Sequence, residues 1–224
     1  AIVSGGPDST GYATLWKSRG AQIYPIIFNY GQKAQREIEV AVDLSYKLGF
    51  CKPVVVDISS LKQIWIGTQL TDEGVDVKEV YSDDVVVPIR NVVFLVIASA
   101  YAYSIGAQYV VYGAHLDDIK LQICDLAYPD CNPYILPFLE NVVNMAHRPS
   151  LKMKLRFFSP AKEGLTKSQL IKTFYTIAGD LIFETYSCYR GGEVHCGRCE
   201  SCVNRMRAFR DAGIVDKTIY EVRE

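Results

Sequence analysis

The chain has 224 residues, of which 49% are hydrophobic and 22% charged, and its formal net charge is −1. This length and composition allow one sizeable core, or a main domain with a small appendage, and they argue against disorder. The near-neutral charge does not favour a nucleic-acid partner. Because neither a membrane-spanning apolar run nor a basic-then-apolar leader is visible, we expect a cytoplasmic protein that makes no membrane contact.

Strand-like and helix-like stretches alternate along the chain. Runs rich in β-branched and aromatic residues predict strands at residues 1–4, 22–28, 53–58, 109–112 and 155–159. Apolar residues at helical spacing predict helices at residues 9–19, 35–48, 91–105, 132–147, 167–177 and 204–211. Pro25 indicates a kink or an edge position in the second strand, and Thr166 is a candidate N-cap. The acidic stretch 67–84 is either a solvated surface loop or a lid.

This order of elements predicts an α/β fold, in which an open parallel sheet has helices on both faces. We expect a main domain at residues 1–185 and a small cysteine-rich segment, residues 186–224, packed on the same domain. Polar stretches follow three of the strands, at residues 4–10, 29–32 and 113–115. Since ligands bind at the carboxyl ends of strands in such sheets, these stretches are expected to converge on one crevice.

The stretch SGGPDST, residues 4–10, lies between the first strand and the first helix. Phosphate oxygens bind to converging backbone N–H groups and to the positive end of a helix, and glycines let the backbone approach closely. The stretch lacks the Lys of a Walker A loop and the glycine spacing of a Rossmann fingerprint. It resembles instead the SGGxDS motif of the ATP-pyrophosphatase superfamily, although a mere tight turn is the alternative.

That resemblance implies adenylation of a substrate followed by displacement of AMP. Asp8 is expected to face Mg²⁺ or to orient the loop. The residues expected to bind ATP in this loop are Ser4, Gly5, Gly6, Asp8, Ser9 and Thr10. Because AMP is the leaving group in such chemistry, the protein supplies positioning and charge neutralisation more than a nucleophile of its own.

Four of the seven cysteines cluster near the end of the chain, at Cys188, Cys196, Cys199 and Cys202. Four thiolates can close a tetrahedral Zn²⁺ shell with no open position, which is typical of a structural site. An iron–sulfur cluster and a redox dithiol formed by the last two cysteines are the alternatives. His195 is expected to stand beside the site rather than to bind the metal. Cys51 and Cys124 are expected to be ordinary buried or surface cysteines.

Four further stretches carry recognisable motifs: FNYGQ at residues 28–32, IRN with a following FL at 89–95, YPDC at 128–131, and SCY with CGRCESC at 187–202. Together with SGGPDST they resemble, from residue 1 to about residue 213, the 7-cyano-7-deazaguanine synthase family of the queuosine and archaeosine pathways. The resemblance implies an adenine nucleotide alpha hydrolase-like, Rossmann-like fold with a zinc-binding region at the C-terminal end.

The same resemblance implies an activity. The expected enzyme is an ATP-dependent ligase that converts 7-carboxy-7-deazaguanine and ammonia to 7-cyano-7-deazaguanine, through an activated carboxylate, an amide and a second activation that removes water. Family membership also implies ATP with Mg²⁺ as co-substrate, one structural zinc ion per subunit, and a homodimer. Tyr30 and Gln32 are expected to line the ATP side of the crevice.

The residues expected to be catalytic are Asp8, Arg90, Asp130 and Cys131. Arg90 and Asn91 are expected to grip the substrate carboxylate or the purine edge, the alternative being a helix start with a surface Arg. Asp130 is expected to accept hydrogen bonds from the exocyclic amine of the substrate, or else to be a turn residue. Cys131 is a candidate covalent catalyst, although a lone cysteine is more often structural.

Three smaller features each allow two interpretations. Lys162 is either a phosphate ligand or an exposed loop lysine. Asp117 and Asp118 either hold Mg²⁺ or form a plain loop pair. Glu37 is either a solvated helix residue or a functional one.

The sequence departs from the motifs of the family at three places. Asn29 stands where the family usually has Asp, and Asn132 stands where Arg usually follows YPDC. Residues 115–127 are longer than the family's stretch before Tyr128 and lack the usual Gly. These departures leave open two alternatives: an adenylating enzyme of the same superfamily that acts on another carboxylate or on tRNA, by modification or sulfur transfer, and a catalytically dead, zinc-stabilised binding module.

Overall fold

The computed structural model describes residues 1–119, 128–147 and 152–222. Within those residues, the helices are α1 (Pro7–Ser18), α2 (Arg36–Lys47), α3 (Arg90–Ile105), α4 (Leu136–Ala146), α5 (Lys167–Ala178) and α6 (Glu200–Asp211). The strands are β1 (Ile26–Asn29), β2 (Val54–Asp57), β3 (Tyr109–Val111) and β4 (Arg156–Phe158). Short 3₁₀ turns occur in several of the connections, such as Leu116–Asp118 and Pro129–Cys131.

The first residues of the chain join two strand pairs into one sheet. β1 pairs with β2 and β3 pairs with β4, both in parallel. Between them, the Ile2 N–H donates to the Val111 carbonyl at 2.8 Å, and the Ile26 N–H donates to the Ala1 carbonyl at 2.8 Å. The sheet order is therefore β2, β1, residues 1–3, β3, β4. This arrangement confirms the predicted open parallel sheet.

Alternation of side chains along these strands builds a separate core on each face of the sheet. Ile2 and Ile26 point to a core that includes Leu95 of α3 and Leu136 of α4. The next residues, Val3 and Ile27, point to the opposite core, which is covered by α1, α2, α5 and α6. Successive strand residues face opposite sides, so helices cover both faces as predicted.

Several predicted boundaries are wrong by a few residues. The second strand begins at Ile26, directly after Pro25, so the predicted residues 22–25 lie outside it. The predicted helix 132–147 begins at Leu136, because Asn132 accepts a hydrogen bond from the Tyr134 N–H and starts a short 3₁₀ turn first. The Arg-rich helix begins at Glu200 rather than at residue 204. Thr166 is confirmed as the N-cap of α5, in a capping box.

The acidic stretch 67–84 has no regular helix or strand before a short 3₁₀ turn at its end. The Gln69 side chain holds it together, since its amide nitrogen donates to Asp84 at 2.7 Å and its oxygen accepts from the Lys78 N–H at 2.8 Å. Leu70 is buried in the core. The stretch is thus a loop that is anchored at its start.

One helical segment is long and apolar enough, by length and composition alone, to cross a membrane. It runs from Asp83 to Ile105 and has a mean hydropathy of 1.9. Most of it is α3, whose residues Leu95, Ala98 and Ala102 are packed in the core. A core helix passes the same test, so the segment is weak evidence for a membrane span.

The cysteine-rich segment shares a core with the rest of the chain. Ala208 and Phe209 of α6 lie in the same cluster as Ile27 and Phe174. The Tyr186 N–H also donates to the Gly5 carbonyl at 2.9 Å. The C-terminal segment therefore packs directly behind the SGGPDST stretch.

Candidate active site and metal centre

The SGGPDST stretch forms a loop that leads from the central residues of the sheet into α1. Gly6 is the N-cap of α1, Pro7 occupies the first turn, and no side chain caps this helix end. The Ser9 hydroxyl accepts from the Ser4 N–H at 3.0 Å and lies 2.9 Å from the Ser4 hydroxyl. The buried Thr10 Oγ1 has no hydrogen-bond partner among the described residues. An uncapped helix N-terminus with two adjacent hydroxyls is suited to an anion.

Two glycines allow the backbone to pack tightly around this loop. Gly5 has a φ of +81°, and a Cβ at this position would lie 2.5 Å from the Glu37 carbonyl oxygen. Gly113, in the loop after β3, approaches so closely that its Cβ would lie 2.6 Å from the Ser9 nitrogen. Any side chain at either glycine would displace the loop. The loops after the first strand and after β3 therefore meet at the point where the sheet order reverses, as predicted.

Asp8 is held beside this loop by two cationic or potentially cationic groups. The Lys167 ammonium lies 2.8 Å from Asp8 Oδ2, and the His115 Nε2 lies 3.7 Å from Asp8 Oδ1. Burial alone would raise the pKa of Asp8, but the charges of Lys167 and His115 outweigh it, and the pKa is lowered. Asp118 lies on the other side of His115, at 3.4 Å from Nδ1. Burial raises the pKa of Asp118.

A second group of predicted residues meets at the start of α3. Asp130 accepts from the Asn91 N–H at 2.9 Å and from the Asn91 side-chain amide at 3.2 Å. The same amide lies 3.3 Å from the Cys131 sulfur. The pKa of the Cys131 thiol is raised, chiefly by burial and then by the charges of Asp118 and Asp130. The thiol is therefore protonated at neutral pH, which disfavours a ready-made nucleophile.

Arg90 projects from the same helix start over an aromatic surface. Its Nη1 donates to the Tyr30 hydroxyl at 3.2 Å, and its guanidinium lies 5.5 Å from the Tyr30 ring centroid. The Arg90 Nε is buried and has no partner in the described part of the chain. The negative charges that act on Arg90 include those of Asp130. A partly buried cation with an unused, buried donor is available to bind an anionic ligand.

The residue that begins α3 has an unusual backbone conformation. Ile89 has a φ of +51° and is the single non-glycine residue with positive φ among those described. A β-branched residue in the left-handed region is strained. The strain lies directly before Arg90 and Asn91.

A hydrogen-bonded group lies between the SGGPDST loop and Arg90. It consists of Tyr30, Gln32 and Glu37. The Gln32 side-chain oxygen accepts from the Tyr30 N–H at 2.9 Å, and its amide nitrogen donates to Glu37 Oε1 at 2.9 Å. Burial raises the pKa of Glu37 to about 7, although the charge of Arg90 opposes this rise. Burial also raises the pKa of Tyr30 to about 12. Glu37 is thus not a solvated helix residue.

These groups lie on the loops and helix starts that meet at the carboxyl edge of the sheet, a region called the crevice below. The side chains of Asp8, Glu37, Arg90 and Asp118 are surrounded by protein yet remain only partly buried, as expected for the walls of a deep crevice. The pKa of Tyr189 is raised by burial and then by Glu200, with Arg90 opposing. Tyr189 also packs against both the core beneath α3 and the buried cysteines.

A cavity of about 660 Å³ opens next to this crevice, beside the ends of β1 and β2. Its cationic lining residues are Lys33, Lys62 and Arg190. Lys62 lies 3.6 Å from Glu73, and Arg190 lies 3.9 Å from Glu79. The acidic stretch 67–84 therefore lies along the rim of the cavity. This volume is typical of small-molecule sites.

The four clustered cysteines are all buried, and their sulfur atoms lie within 4.8 Å of one another. The Cys196 sulfur accepts from the N–H groups of Arg198 at 3.4 Å and Cys199 at 3.3 Å. Backbone donors that point at a sulfur stabilise a thiolate. A compact, closed group of four sulfur ligands with these donors fits a tetrahedral metal ion such as zinc. Within the described residues this is the one such group of potential ligands.

His195 is outside this group of ligands. Its Nε2 accepts from the Ser187 N–H at 3.0 Å. Burial, together with the nearby charge of Arg205, lowers the pKa of His195 to about 4, so the ring is neutral. His195 thus supports the cysteine loop from outside, as expected.

Arg205 of α6 is fully buried behind the cysteine cluster. Its Nε donates to Thr218, its Nη1 to the hydroxyls of Thr185 and Ser187, and its Nη2 to Thr218 and the Ile182 carbonyl. The guanidinium therefore ties three separate parts of the C-terminal region together.

The remaining predicted residues have local partners. The Lys162 ammonium donates to the Phe157 carbonyl at 2.7 Å and lies 3.3 Å from Glu140. It therefore pairs with these groups rather than with the SGGPDST loop. Asp117 accepts from the Lys167 N–H at 2.8 Å. The Asn29 side-chain amide donates to Asp57 at 3.2 Å, a contact in which an Asp would place two like charges together.

Part of the sequence-based interpretation lies outside the described residues. Cys124 and most of the stretch 115–127 belong to that part. Two crevice residues were missed from the sequence, namely Lys167 and Tyr189. Lys167 had a usable signal, since it directly follows the N-cap Thr166 and so begins α5 at the sheet's carboxyl edge.

The sequence matches the family model described as "Queuosine biosynthesis protein QueC" over residues 1–213. It is 37% identical to a 7-cyano-7-deazaguanine synthase of Psychromonas ingrahamii over 98% of this chain and 96% of that protein. It is 34% identical to a protein of the same name from Marinobacter nauticus, over 98% and 96% of the two chains. A third synthase, from Caldicellulosiruptor bescii, is 34% identical over 99% and 96%.

Proposed function

Because the chain belongs to the QueC family of queuosine biosynthesis proteins, we propose that it is an ATP-dependent carbon–nitrogen ligase. The reaction is the conversion of 7-carboxy-7-deazaguanine and ammonia to 7-cyano-7-deazaguanine. The observation that supports it most is the position of Glu37, whose carbonyl contacts Gly5 of the SGGPDST loop and whose carboxyl is acted on by the charge of Arg90. Glu37 thus connects the proposed anion-binding loop to the cation proposed for the substrate carboxylate.

The phosphate loop is the proposed site for the pyrophosphate half of ATP. The uncapped end of α1, the paired hydroxyls of Ser4 and Ser9, and the unpartnered Thr10 Oγ1 support this assignment. Asp8 is the proposed carboxylate for Mg²⁺, which would neutralise charge on the phosphates. Lys167, now paired with Asp8, would share that task. The proposed adenosine side is the cavity beside Tyr30 and Gln32.

The proposed substrate end of the crevice is the start of α3. The Arg90 guanidinium would bind the carboxylate, and its unused Nε is the donor that is free to do so. Asn91 and Asp130 would face the purine edge, with Asp130 held in place by Asn91. Cys131 would contact the reacting group as a thiol, because burial keeps it protonated.

The proposed reaction has four steps. A carboxylate oxygen attacks the α-phosphorus of ATP and pyrophosphate leaves, which gives an acyl adenylate. Ammonia displaces AMP from the carbonyl carbon and gives the amide. The amide oxygen then attacks a second ATP in the same way. Finally that oxygen leaves as part of AMP, and the nitrogen, having lost both protons, forms the nitrile.

The cysteine cluster is the proposed site of one structural zinc ion per chain. Four buried sulfur atoms leave no open position for a substrate. Elemental analysis of the purified protein should give about one zinc per chain. Stoichiometric iron with visible absorbance would identify an iron–sulfur cluster instead.

A direct assay tests the function. The protein is incubated with 7-carboxy-7-deazaguanine, ammonium and MgATP, and products are followed by mass spectrometry. The expected products are the amide and then the nitrile. Turnover of ATP with other carboxylates but not with this one would contradict the substrate. Retention of tRNA in a filter-binding assay would favour the modification alternative, and nucleotide binding without pyrophosphate release would favour the binding module. A homodimer, tested by sedimentation, and a cytoplasmic location stay predictions.

A further inference from the structure

Glu37 is a carboxylic acid that the reaction described so far does not use. It lies in the first turn of α2, and its backbone carbonyl is in close contact with Gly5 of the phosphate loop. Its side chain is surrounded by protein but is only partly buried, so small molecules in the crevice can reach it. It therefore stands between the site proposed for pyrophosphate and the one proposed for the substrate carboxylate.

The charged and titratable groups that face Glu37 come from two elements. Tyr30 lies in the turn after β1, and Arg90 lies at the start of α3. The phosphate loop approaches with the backbone of Gly5, and the neutral amide of Gln32 holds one carboxylate oxygen. Burial raises the pKa of this carboxyl to about 7, while Arg90 keeps it from rising further. Such a group takes up and releases protons at neutral pH.

The proposed reaction needs a proton acceptor at nitrogen. Ammonia is largely ammonium at neutral pH, and it must lose a proton before it can attack. The amide must later lose both of its N–H protons to become a nitrile. The other carboxylates near the crevice are engaged, because Asp8 is paired with Lys167, Asp130 is bound by Asn91, and Asp118 accepts from the His115 N–H at 2.9 Å. Within the described residues, the carboxyl of Glu37 has a single hydrogen bond, to Gln32.

We propose that Glu37 is the proton acceptor for the nitrogen in both halves of the reaction, an assignment that rests on the proposed function. In the first half, the Glu37 carboxylate takes a proton from ammonium. The ammonia nitrogen forms the C–N bond as the bond from carbon to the AMP oxygen breaks, and AMP leaves with the electron pair and takes the third nitrogen proton on its phosphate. Glu37 then releases its proton to water. In the second half, Glu37 takes one N–H proton as the amide oxygen bonds to phosphorus and pyrophosphate leaves, and the other N–H proton leaves with AMP as the C–O bond breaks and the nitrile forms.

A purely positional role for Glu37 predicts different behaviour. In that case Glu37 serves to orient Gln32, which in turn holds Tyr30 through its backbone N–H. The Glu37→Gln variant separates the two roles, because a Gln oxygen still accepts from Gln32 but no longer takes up a proton. Glu39→Gln is the matched control, since Glu39 lies in the same turn and is exposed.

The experiment measures three rates on the full chain with its zinc. The first is the exchange of labelled pyrophosphate into ATP in the presence of 7-carboxy-7-deazaguanine without ammonium, which requires no proton acceptor. The second is amide formation with ammonium, and the third is nitrile formation from the amide, each across pH 5.5 to 9. Zinc content and a thermal melt confirm that each variant is folded.

For Glu37→Gln we expect exchange within about threefold of the unchanged chain and a loss of about 100-fold in both amide and nitrile formation. The rise of the two rates through about pH 7 should disappear in this variant and persist in Glu39→Gln. Unchanged amide and nitrile rates would overturn the proposal, and so would a parallel loss of exchange, which indicates positioning. Absence of exchange in the unchanged chain would overturn the proposed function itself.

Discussion

Two arginines, Arg205 and Arg90, differ in how their donors are used. Arg205, behind the cysteine cluster, has partners for all three of its nitrogens, in Thr185, Ser187, Thr218 and the Ile182 carbonyl. Arg90, at the crevice, donates to the Tyr30 hydroxyl, and its Nε has no partner among the residues that the structure describes. Arg205 therefore uses its donors within the protein, whereas Arg90 keeps one donor available for a ligand.

The surroundings of the two arginines differ in the same way. In the C-terminal region, as far as the structure describes it, every buried side-chain nitrogen and oxygen has a partner, and the four cysteines add a compact set of sulfur ligands. The crevice combines a strained Ile89, an uncapped helix end and an unpartnered Thr10 hydroxyl. Unused polar groups in a folded protein are costly, so their concentration at one place points to a ligand. The first region thus stabilises the fold, and the second region is adapted to binding.

Loss of the metal should have the largest effect on stability. Cys202→Ser removes one of four ligands, and we expect a loss of more than 5 kcal/mol, since structural zinc contributes about 10 kcal/mol or more to small domains. Unfolding curves with and without a chelator, together with zinc content, measure this loss. Cys51→Ser, outside the cluster, is the control and should change little. A melt that is insensitive to chelation would contradict a structural metal.

Substitution by Met should mainly reduce stability at Arg205 and mainly reduce pyrophosphate exchange at Arg90. Arg205→Met leaves several buried acceptors unpaired, so we expect a loss of about 3–5 kcal/mol of unfolding free energy. Arg90→Met should cost about 1 kcal/mol, mainly from its contact with Tyr30, but should reduce pyrophosphate exchange at least about 100-fold. Urea unfolding and the exchange assay separate these outcomes. Equal losses of stability in both variants would remove the distinction between the regions.

Glu37 should make stability depend on pH. Its folded-state pKa of about 7 is above its unfolded value, so the folded chain holds the proton more tightly. Stability is then fully present below about pH 4.5 and falls as the pH rises toward 7, by about 2 kcal/mol for a partly buried group. Glu37→Gln should abolish this fall, as measured by urea unfolding at pH 5 and pH 8. The same fall in both proteins would place its origin elsewhere.

Relief of strain at Ile89 should have the smallest effect. Ile89→Gly removes a left-handed β-branched residue, and the gain of about 2 kcal/mol is reduced by the greater freedom of Gly in the unfolded chain. We expect a net stabilisation of about 1 kcal/mol, measured by thermal or urea unfolding. Ile89→Ala keeps the Cβ and should show no such gain. A gain of equal size in both variants would mean that exposure of the side chain, not strain, is responsible.

Local signals predicted much of this molecule. SGGPDST lies where its strand-to-helix setting placed it, and the spacing of Cys188, Cys196, Cys199 and Cys202 predicted a single compact cluster. The rule that ligands bind at the carboxyl ends of parallel strands predicted that the loops after the first strand and after β3 would meet. Each of these inferences depends on residues that are close in sequence or on a general property of sheets.

Features that depend on distant contacts could not be predicted in the same way. Helical spacing identified α2 but did not show that the charge of Arg90 acts on Glu37, because Arg90 belongs to a distant part of the chain. Lys167 meets Asp8 through the packing of α5 on α1. Helix α6 begins at Glu200 because Cys199, its N-cap, is held by the cysteine cluster, and a count of apolar residues does not register that constraint.

The position of residues 1–3 in the middle of the sheet has a consequence for folding. The strand that contains Ile2 pairs on one side with Ile26, which is nearby in the chain, and on the other side with Val111, which lies much later in the sequence. This strand precedes both of its neighbours in the chain, so the seam between the two halves of the sheet closes only after a long loop is formed. The SGGPDST loop begins at the very next residue, Ser4. Closure of the seam therefore also fixes the start of that loop.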